Sequence, residues 1–483
     1  MLLSIDVGTS GVRAILFDER GNEVPGAQAH SQRPIGMSNF GELRPNRLVN
    51  EVVDTIDRLP FNTKIDHIAI SAFWHSLIGV DSAGRPTTTL LTWADTRAAQ
   101  FANDLRSQFN EAEIHARTGC RFHPSYWPAK LLWLKHEQTD NFNRTRYWLG
   151  FAEFLCLRLF GENATFISTA SATGLFNQRN CDWDWDFIDA LGIARDTLPT
   201  LNAQTDARLT AEFASRWPAL AEARLVTVVG DGAANNIGAG CSTKDKIALM
   251  VGTSGAMRVV FAGGPPAELA PGLWCYRANR ERVVVGGALS DGGGVMQWLY
   301  ETLNLYGDPA AMDEKVAALE PDAHGLTVLP FWSGERSTGW FADARGGIFG
   351  LRQQTKPFEI MRAVLESIAY RFALIARALD EVAPNATIVA SGNALRWSPV
   401  WVQIIADVLG RPLLLGGPAE ASSRGAALLA LEAVGKIASI EEEQFAIDQV
   451  FEPDMSRHAR YQEGLARQED LYNRLYKTQE PTK

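Results

Sequence analysis

The pentapeptide Val7-Gly8-Thr9-Ser10-Gly11 recurs unchanged as Val251-Gly252-Thr253-Ser254-Gly255 in the second half of the chain. Each copy follows an apolar run and leads into another, at residues 12–17 and 256–261. The pattern predicts strand, tight polar turn, strand in both places. Such a turn presents backbone N–H groups and hydroxyls to an anion. One copy alone reads as an ordinary hairpin turn, because Gly, Ser and Thr are common turn residues. A matched pair predicts two related domains gripping one phosphorylated ligand from opposite sides. The copies differ in the residue before them, Asp6 in the first and Met250 in the second. Only the first offers a carboxylate, which suits a Mg²⁺ ion carried on phosphates.

At 483 residues the chain exceeds the size at which one core stops growing, so two domains are the default. A net charge of −10, with no basic cluster interleaved with aromatics, argues against nucleic-acid and anionic-membrane partners. The five cysteines are widely spaced and include no Cys-x-x-Cys pair, so neither a zinc site nor a disulfide framework is indicated. The N-terminus enters the Asp6 strand at once and no apolar run approaches a membrane span. A cytoplasmic location is the expectation.

Strands are predicted at 64–71, 77–81, 225–230 and 387–391, and helices at 128–137, 151–160, 399–409 and 422–434. A boundary near Lys246, where the second turn opens a new block, divides the chain into 1–245, 246–439 and a tail at 440–483. The tail is predicted to dock as an amphipathic helix with Tyr461, Leu465, Leu471 and Leu475 on one stripe.

Asp231 ends an apolar strand and precedes a run of small residues that lets a helix pack closely. A carboxylate there stands near a helix N-terminus, which favours its ionised form. It suits a base taking a hydroxyl proton during phosphoryl transfer, a reaction that rests on positioning and charge neutralisation. A helix cap is the plainer role for Asp at such a junction. Gly286-Gly287-Ala288, Gly292-Gly293-Gly294 and Ser391-Gly392-Asn393-Ala394 allow backbone to approach a purine or a phosphate. Walker and Rossmann fingerprints are absent. Trp74-His75 and Trp93-Ala94-Asp95-Thr96-Arg97 each follow a strand. Asp95 and Arg97 there could project into one cleft and take hydroxyls or a carboxylate, or could be a solvated ion pair.

In order along the chain, several stretches resemble the FGGY carbohydrate kinases. They are residues 5–18, Gly230-Asp231-Gly232 with Asn235 and Gly238, Val251 to Gly255, Gly334-Glu335-Arg336, Ala344-Arg345-Gly346, residues 390–407 and residues 420–427. The resemblance covers nearly the whole length. It implies an α/β fold of two ribonuclease-H-like domains of the actin/Hsp70 type, with a central cleft, and it implies ATP and Mg²⁺ as cofactors. By it Asp231 is the general base and Asp6 positions the metal. Thr9, Ser10, Arg13, Gly252 and Thr253 hold phosphates, while Gly293 and Gly392 approach the nucleotide. Trp74, His75, Asp95 and Arg97 face a small sugar or sugar-acid substrate, and a homodimer is left open.

Two departures stand out. Asn393 replaces a second glycine beside the nucleotide, and Phe73-Trp74 replaces the more usual Gln-Met, so that Trp74 could narrow the pocket or stack on a sugar. Residues 92–97, 170–176 and 273–277 are most similar to gluconate kinases. Gluconate is thus the first expectation, with a ketopentose or polyol second. A non-catalytic ATPase or a sugar sensor on the same fold are the readings from other classes.

Overall fold

The computed structural model describes residues 1–33, 42–202, 206–303, 309–443 and 446–477. Its two largest sheets share one strand order. The first runs Arg224–Gly230, His67–Ala72, Leu2–Gly8, Gly11–Phe17, Glu23–Gln32, three parallel strands followed by an antiparallel meander. The second repeats this with Leu413–Gly416, Thr387–Ser391, Lys246–Val251, Gly255–Ala262 and Arg282–Leu289. Trp274–Arg277 and Ile447–Phe451 add an edge strand at either end. The repeated pentapeptide is therefore the trace of a repeated five-strand unit, and the fold is the expected pair of ribonuclease-H-like domains.

Parallel strands need a crossover that buries one sheet face. Pro45–Ile56 does this for the first sheet, with Leu48, Val49, Val52, Val53 and Ile56 on its inner side. Pro357–Leu379 does so for the second, begun by Pro357 and by the Lys356 N–H bonded to Glu359 (2.7 Å). Within the stretch between His67–Ala72 and Arg224–Gly230, Leu105, Trp127, Leu134 and Phe187 belong to a further core of their own, while Phe151–Phe160 packs into the core of the first sheet.

After the last parallel strand of each unit comes a small-residue helix, Asp231–Gly238 in the first and Ala421–Ala433 in the second. These two helices cross in direct backbone contact. A Cβ on Gly238 would lie 1.8 Å from the Ala421 carbonyl oxygen, and one on Gly425 would lie 1.8 Å from that of Ala234. Only glycine permits this approach at either position. The contact seats the start of each helix close to the other unit, and the site grows from that junction.

The helical spans read from periodicity agree with the structure within a residue or two (Trp127–Glu137, Phe151–Phe160, Pro399–Leu409). The C-terminal segment differs from the expectation in two ways. Ile447–Phe451 is a strand, and the buried stripe of Met455–Tyr472 runs Tyr461, Leu465, Gln468, Tyr472. Leu475 is 37% exposed, so the stripe does not pass through Leu471 to Leu475. The reason is helical phase, since Tyr472 lies about three turns beyond Tyr461. Polar Gln468 hid the stripe, yet its amide donates to the carbonyls of Val328 (2.9 Å) and Ser367 (3.1 Å) and so is satisfied inside.

Candidate active site

The strand Arg224–Gly230 delivers Asp231 to the first position of its helix, and Gly230 in extended conformation caps it. Glycines flank Asp231 because the Trp74 indole lies across them. A Cβ on Gly230 would meet Trp74 Nε1 at 1.7 Å, and one on Gly232 would meet its Cζ3 at 2.5 Å. Asp231 accepts the Gly232 N–H (2.8 Å) and the backbone N–H of Trp74. Burial and the neighbouring Asp6 push its carboxyl up to about 7, while Arg258 pulls the other way. This corrects the expectation that a helix N-terminus alone keeps Asp231 ionised. Desolvation and a like charge outweigh the helix dipole, which is a smaller effect.

Asp6 lies directly opposite Arg13 across the first hairpin. It accepts from Ser71 Oγ (2.7 Å) and Arg13 Nη1 (3.3 Å), and burial raises its carboxyl above the ordinary value despite both. Arg13 also pairs through Nε with Glu420 (2.6 Å), the residue before the second small-residue helix. Burial pushes Glu420 up to about 7. Three carboxyl groups, each raised, thus crowd the junction of the two helices.

The two pentapeptides close differently. In the first, Gly8 pairs with Gly11 and leaves Thr9-Ser10 as an exposed two-residue turn. In the second, Val251 pairs with Gly255, and Gly252, Thr253 and Ser254 form the loop. That loop is clasped from behind. The Gly252 carbonyl accepts the Gly293 N–H (2.8 Å), and the Thr253 carbonyl accepts those of Gly292 and Gly294 (both 3.0 Å). Gly392, at φ +102°, sits against the Val251 carbonyl, and Gly293 sits against Ala394. Gly252, Thr253, Gly293 and Gly392 are therefore one surface. Asn393 begins the helix Asn393–Trp397, so the left-handed backbone falls on Gly392 and asks nothing unusual of the asparagine.

On the other side of Asp231 stands an aromatic wall. His75 donates from Nδ1 to the Ala172 carbonyl (2.7 Å), and burial drives it down to about 3, so it is neutral. Its Nε2 is left as an acceptor. Tyr126 and Tyr276 meet the imidazole edge-on, with centroids 5.0 and 5.5 Å away, and bond to each other through their hydroxyls (2.5 Å). Lys130 donates to the His75 carbonyl (2.5 Å), which secures a backbone held at φ +67°. Trp74 is 7% exposed, packs edge-on against Trp274 and Tyr276, and gives its indole N–H to the Ser168 carbonyl. It serves as the floor beneath Asp231 rather than as a stacking platform, because its faces are already covered.

Asp95 and Arg97 are brought together, but mainly on each other. Arg97 binds Asp95 through Nε and Nη2, reaches Glu42 (2.6 Å) and lies over Trp133 (4.4 Å). Asp95 is 3% exposed. The pair anchors the segment that carries Trp93, whose ring lies 4.7 Å from the Arg336 guanidinium. Arg258, Arg336, Glu420, Lys130, Tyr126 and Tyr276 join the site without having been picked out as site residues in the sequence. One signal was legible, since a lone arginine in the apolar run Ala-Met-Arg-Val-Val-Phe at 256–261 is out of place unless bound. Arg258 donates to the side chains of Asn236 (3.1 Å) and Asn235 (3.3 Å). Burial lowers its guanidinium to about 10.

Asp322, His324 and Glu366 lie close enough to suggest a metal site. Their charge is already met, because Arg467 holds Asp322 and Arg362 holds Glu366 (2.5 Å). No helix among the described residues is long and apolar enough to cross a membrane.

Comparison with known proteins identifies the family. The N-terminal domain of the FGGY family of carbohydrate kinases matches residues 1–238, and the C-terminal domain matches residues 247–434. The chain is 31% identical over 457 residues to a gluconokinase of Bacillus subtilis (strain 168), covering 91% of this chain and 89% of that one. A gluconate kinase structure from Lactobacillus acidophilus is similar with a TM-score of 0.87 at 28% identity, covering 98% of each chain. A ligand-bound xylulose kinase from the same organism gives 0.88, also at 28% identity and 98% coverage of each chain. The chain therefore belongs to the FGGY family of carbohydrate kinases, enzymes that use ATP to phosphorylate a sugar.

Proposed function

We propose that this chain phosphorylates a sugar acid, D-gluconate first, to give 6-phosphogluconate. The observation that carries the chemistry is Asp231, raised to about 7 at the junction of the two helices, between the anion-type turns and the aromatic wall. A carboxylate so poised accepts a hydroxyl proton as the oxygen attacks phosphorus. Thr9, Ser10, Arg13, Gly252 and Thr253 hold the phosphates, and Gly293, Gly392 and Asn393 border the nucleoside. His75 accepts a substrate hydroxyl at Nε2, and Asp95 with Arg97 keeps the Trp93 wall in place.

Asp6 and Asp231 are both raised, Asp231 partly by Asp6, although Arg13 and Arg258 stand beside them, so two buried carboxyls that repel each other fit a divalent cation. Asp6 holds Mg²⁺ in this reading. That ion supplies charge neutralisation on the phosphates. The working units are residues 1–245 and a second that begins at 246, takes in the edge strand Ile447–Phe451 and carries Met455–Tyr472 packed on it. The reaction is placed in the cytoplasm, in a chain that can pair as a homodimer.

Similarity to gluconokinases in sequence and to a gluconate kinase in structure supports gluconate. The xylulose kinase likeness makes a ketopentose the second reading. A coupled ADP-release assay across D-gluconate, D-xylulose, D-ribulose and glycerol tests this. Gluconate is expected to give the highest kcat/KM, and a preference for xylulose would replace it.

Protonation gives a second test. Asp231 works as a base only when ionised, so kcat/KM is expected to fall as pH drops through about 7. Arg258 lowers the Asp231 value, so Arg258→Met should move that acid limb to higher pH. A pH–rate profile checks it, and an unmoved limb would dissociate Arg258 from the base.

A further inference from the structure

Arg13 is held from both units at once. It stands opposite Asp6 across the first hairpin, and its Nη1 lies 3.7 Å from where a Cβ on Gly8 would be, beside the first turn. Asp6 accepts from Nη1 (3.3 Å), and Glu420 of the second unit pairs with Nε (2.6 Å). Among the described residues Nη2 forms no bond, and the side chain is partly exposed. The guanidinium therefore has its stem-side nitrogen fixed by Glu420 and keeps a terminal nitrogen free.

Glu420 is itself held in place. It precedes the helix Ala421–Ala433, whose first carbonyl lies against Gly238 of the other small-residue helix. Its own carbonyl accepts the Arg424 N–H (3.0 Å), and the Arg424 side chain donates to the Gly238 carbonyl (3.0 Å). The plain role for a residue at this position is a helix cap, but the Glu420 side chain makes no cap bond. His30 Nδ1 is 4.0 Å from the Glu420 carboxylate, yet burial and the Arg13 charge lower that imidazole and favour its neutral form. Arg13 is thus the cation that Glu420 serves. A free arginine samples many rotamers, and ordering them on binding weakens affinity. Anchoring Nε removes that loss in advance. A carboxylate competing with phosphate would instead cover the terminal fork, whereas this pairing runs through Nε.

We infer that Glu420 is a positioning residue for ATP, which from the second unit aims Arg13 at the phosphates on the first turn. The cation is then ready only when the two units are docked at the helix junction. The inference rests on the reading of Arg13 as a phosphate ligand and names the residue that prepares it.

The test measures, in the full chain, the Kd of Mg²⁺–AMP-PNP, a non-hydrolysable ATP analogue, by calorimetry. Beside it stand thermal melts and the KM for the sugar that the wild type phosphorylates best. Glu420→Ala should weaken the analogue roughly tenfold, the scale of losing an outer partner that orients a ligating group, and leave the sugar KM within about threefold. Glu420→Gln keeps the size of the side chain without its charge and should fall between wild type and alanine. In an Arg13→Met background Glu420→Ala should add less than about twofold, because the group it positions is gone. Equal weakening of nucleotide and sugar would overturn the inference. So would a loss that persists in full in the Arg13→Met background, or tighter analogue binding without Glu420. If Glu420→Ala does not fold, Glu420→Gln carries the same cycle. An Arg13→Met enzyme that binds the analogue normally would remove the phosphate reading and the inference together. Weak binding by Arg13→Met beside an unaffected Glu420→Ala would remove the inference alone.

Discussion

Asp231→Asn is expected to lower turnover by about 10²–10⁴, the usual contribution of a positioned base. The substitution keeps the side chain's shape and can still accept the Gly232 N–H, so the helix start survives. ATP affinity should change little, because other residues hold the phosphates. Stability provides an internal control with a definite sign. The folded chain holds the Asp231 proton up to about 7, above the ordinary 3.8, so ionising this group between those values weakens the fold. Asparagine never ionises. The variant should therefore melt at or above the wild-type temperature above pH 7, and the two should converge in acid. Turnover, ATP affinity and melting temperature on one variant separate the roles. A helix cap predicts little loss of turnover, whereas a base predicts a slow enzyme that is fully folded. Near-normal turnover would take Asp231 out of the mechanism.

Arg371→Met is expected to cost about 3–5 kcal/mol of stability, the range for leaving a buried charge unpaired. Arg371, on the long helix Pro357–Leu379, pairs with Glu335, and each side chain is 1% exposed. Glu335 also accepts from Tyr472 (2.6 Å) and the Gly339 N–H (3.1 Å), and Arg371 lies between the rings of Phe331 and Tyr472. This cluster ties the C-terminal helical segment to the loop that presents Arg336. Denaturant unfolding measures the loss. Adding Glu335→Gln should restore much of it, since the stranded charge is then gone. A loss below about 1 kcal/mol would mean the pair behaves like an exposed one.

The sequence by itself determined the repeat and therefore the paired architecture. Identical pentapeptides with apolar flanks can only be turns between strands, and Asp6 against Met250 marks which copy carries a carboxylate. It also placed Asp231 at a strand end between two glycines, because a side chain beside a close-packed indole leaves no other residue type room. Helices with clear apolar spacing were legible for the same local reason.

What the sequence could not state was partnership. The same five residues close as a two-residue turn in one unit and a three-residue loop in the other, because Gly292, Gly293 and Gly294 grip the second from outside. Asp95 and Arg97 look like substrate ligands until Glu42 and Trp133 are seen to occupy the arginine. Conversely, Arg336 looks like one more surface charge until the fold buries it against Trp93 and the Leu289 carbonyl, where it feels Asp291 and Asp231. Protonation was decided at the same level. A helix N-terminus is a local feature, but the burial and the Asp6 charge that raise Asp231 arrive from elements far apart in the chain, and at close range in a poorly solvated site they are the stronger terms.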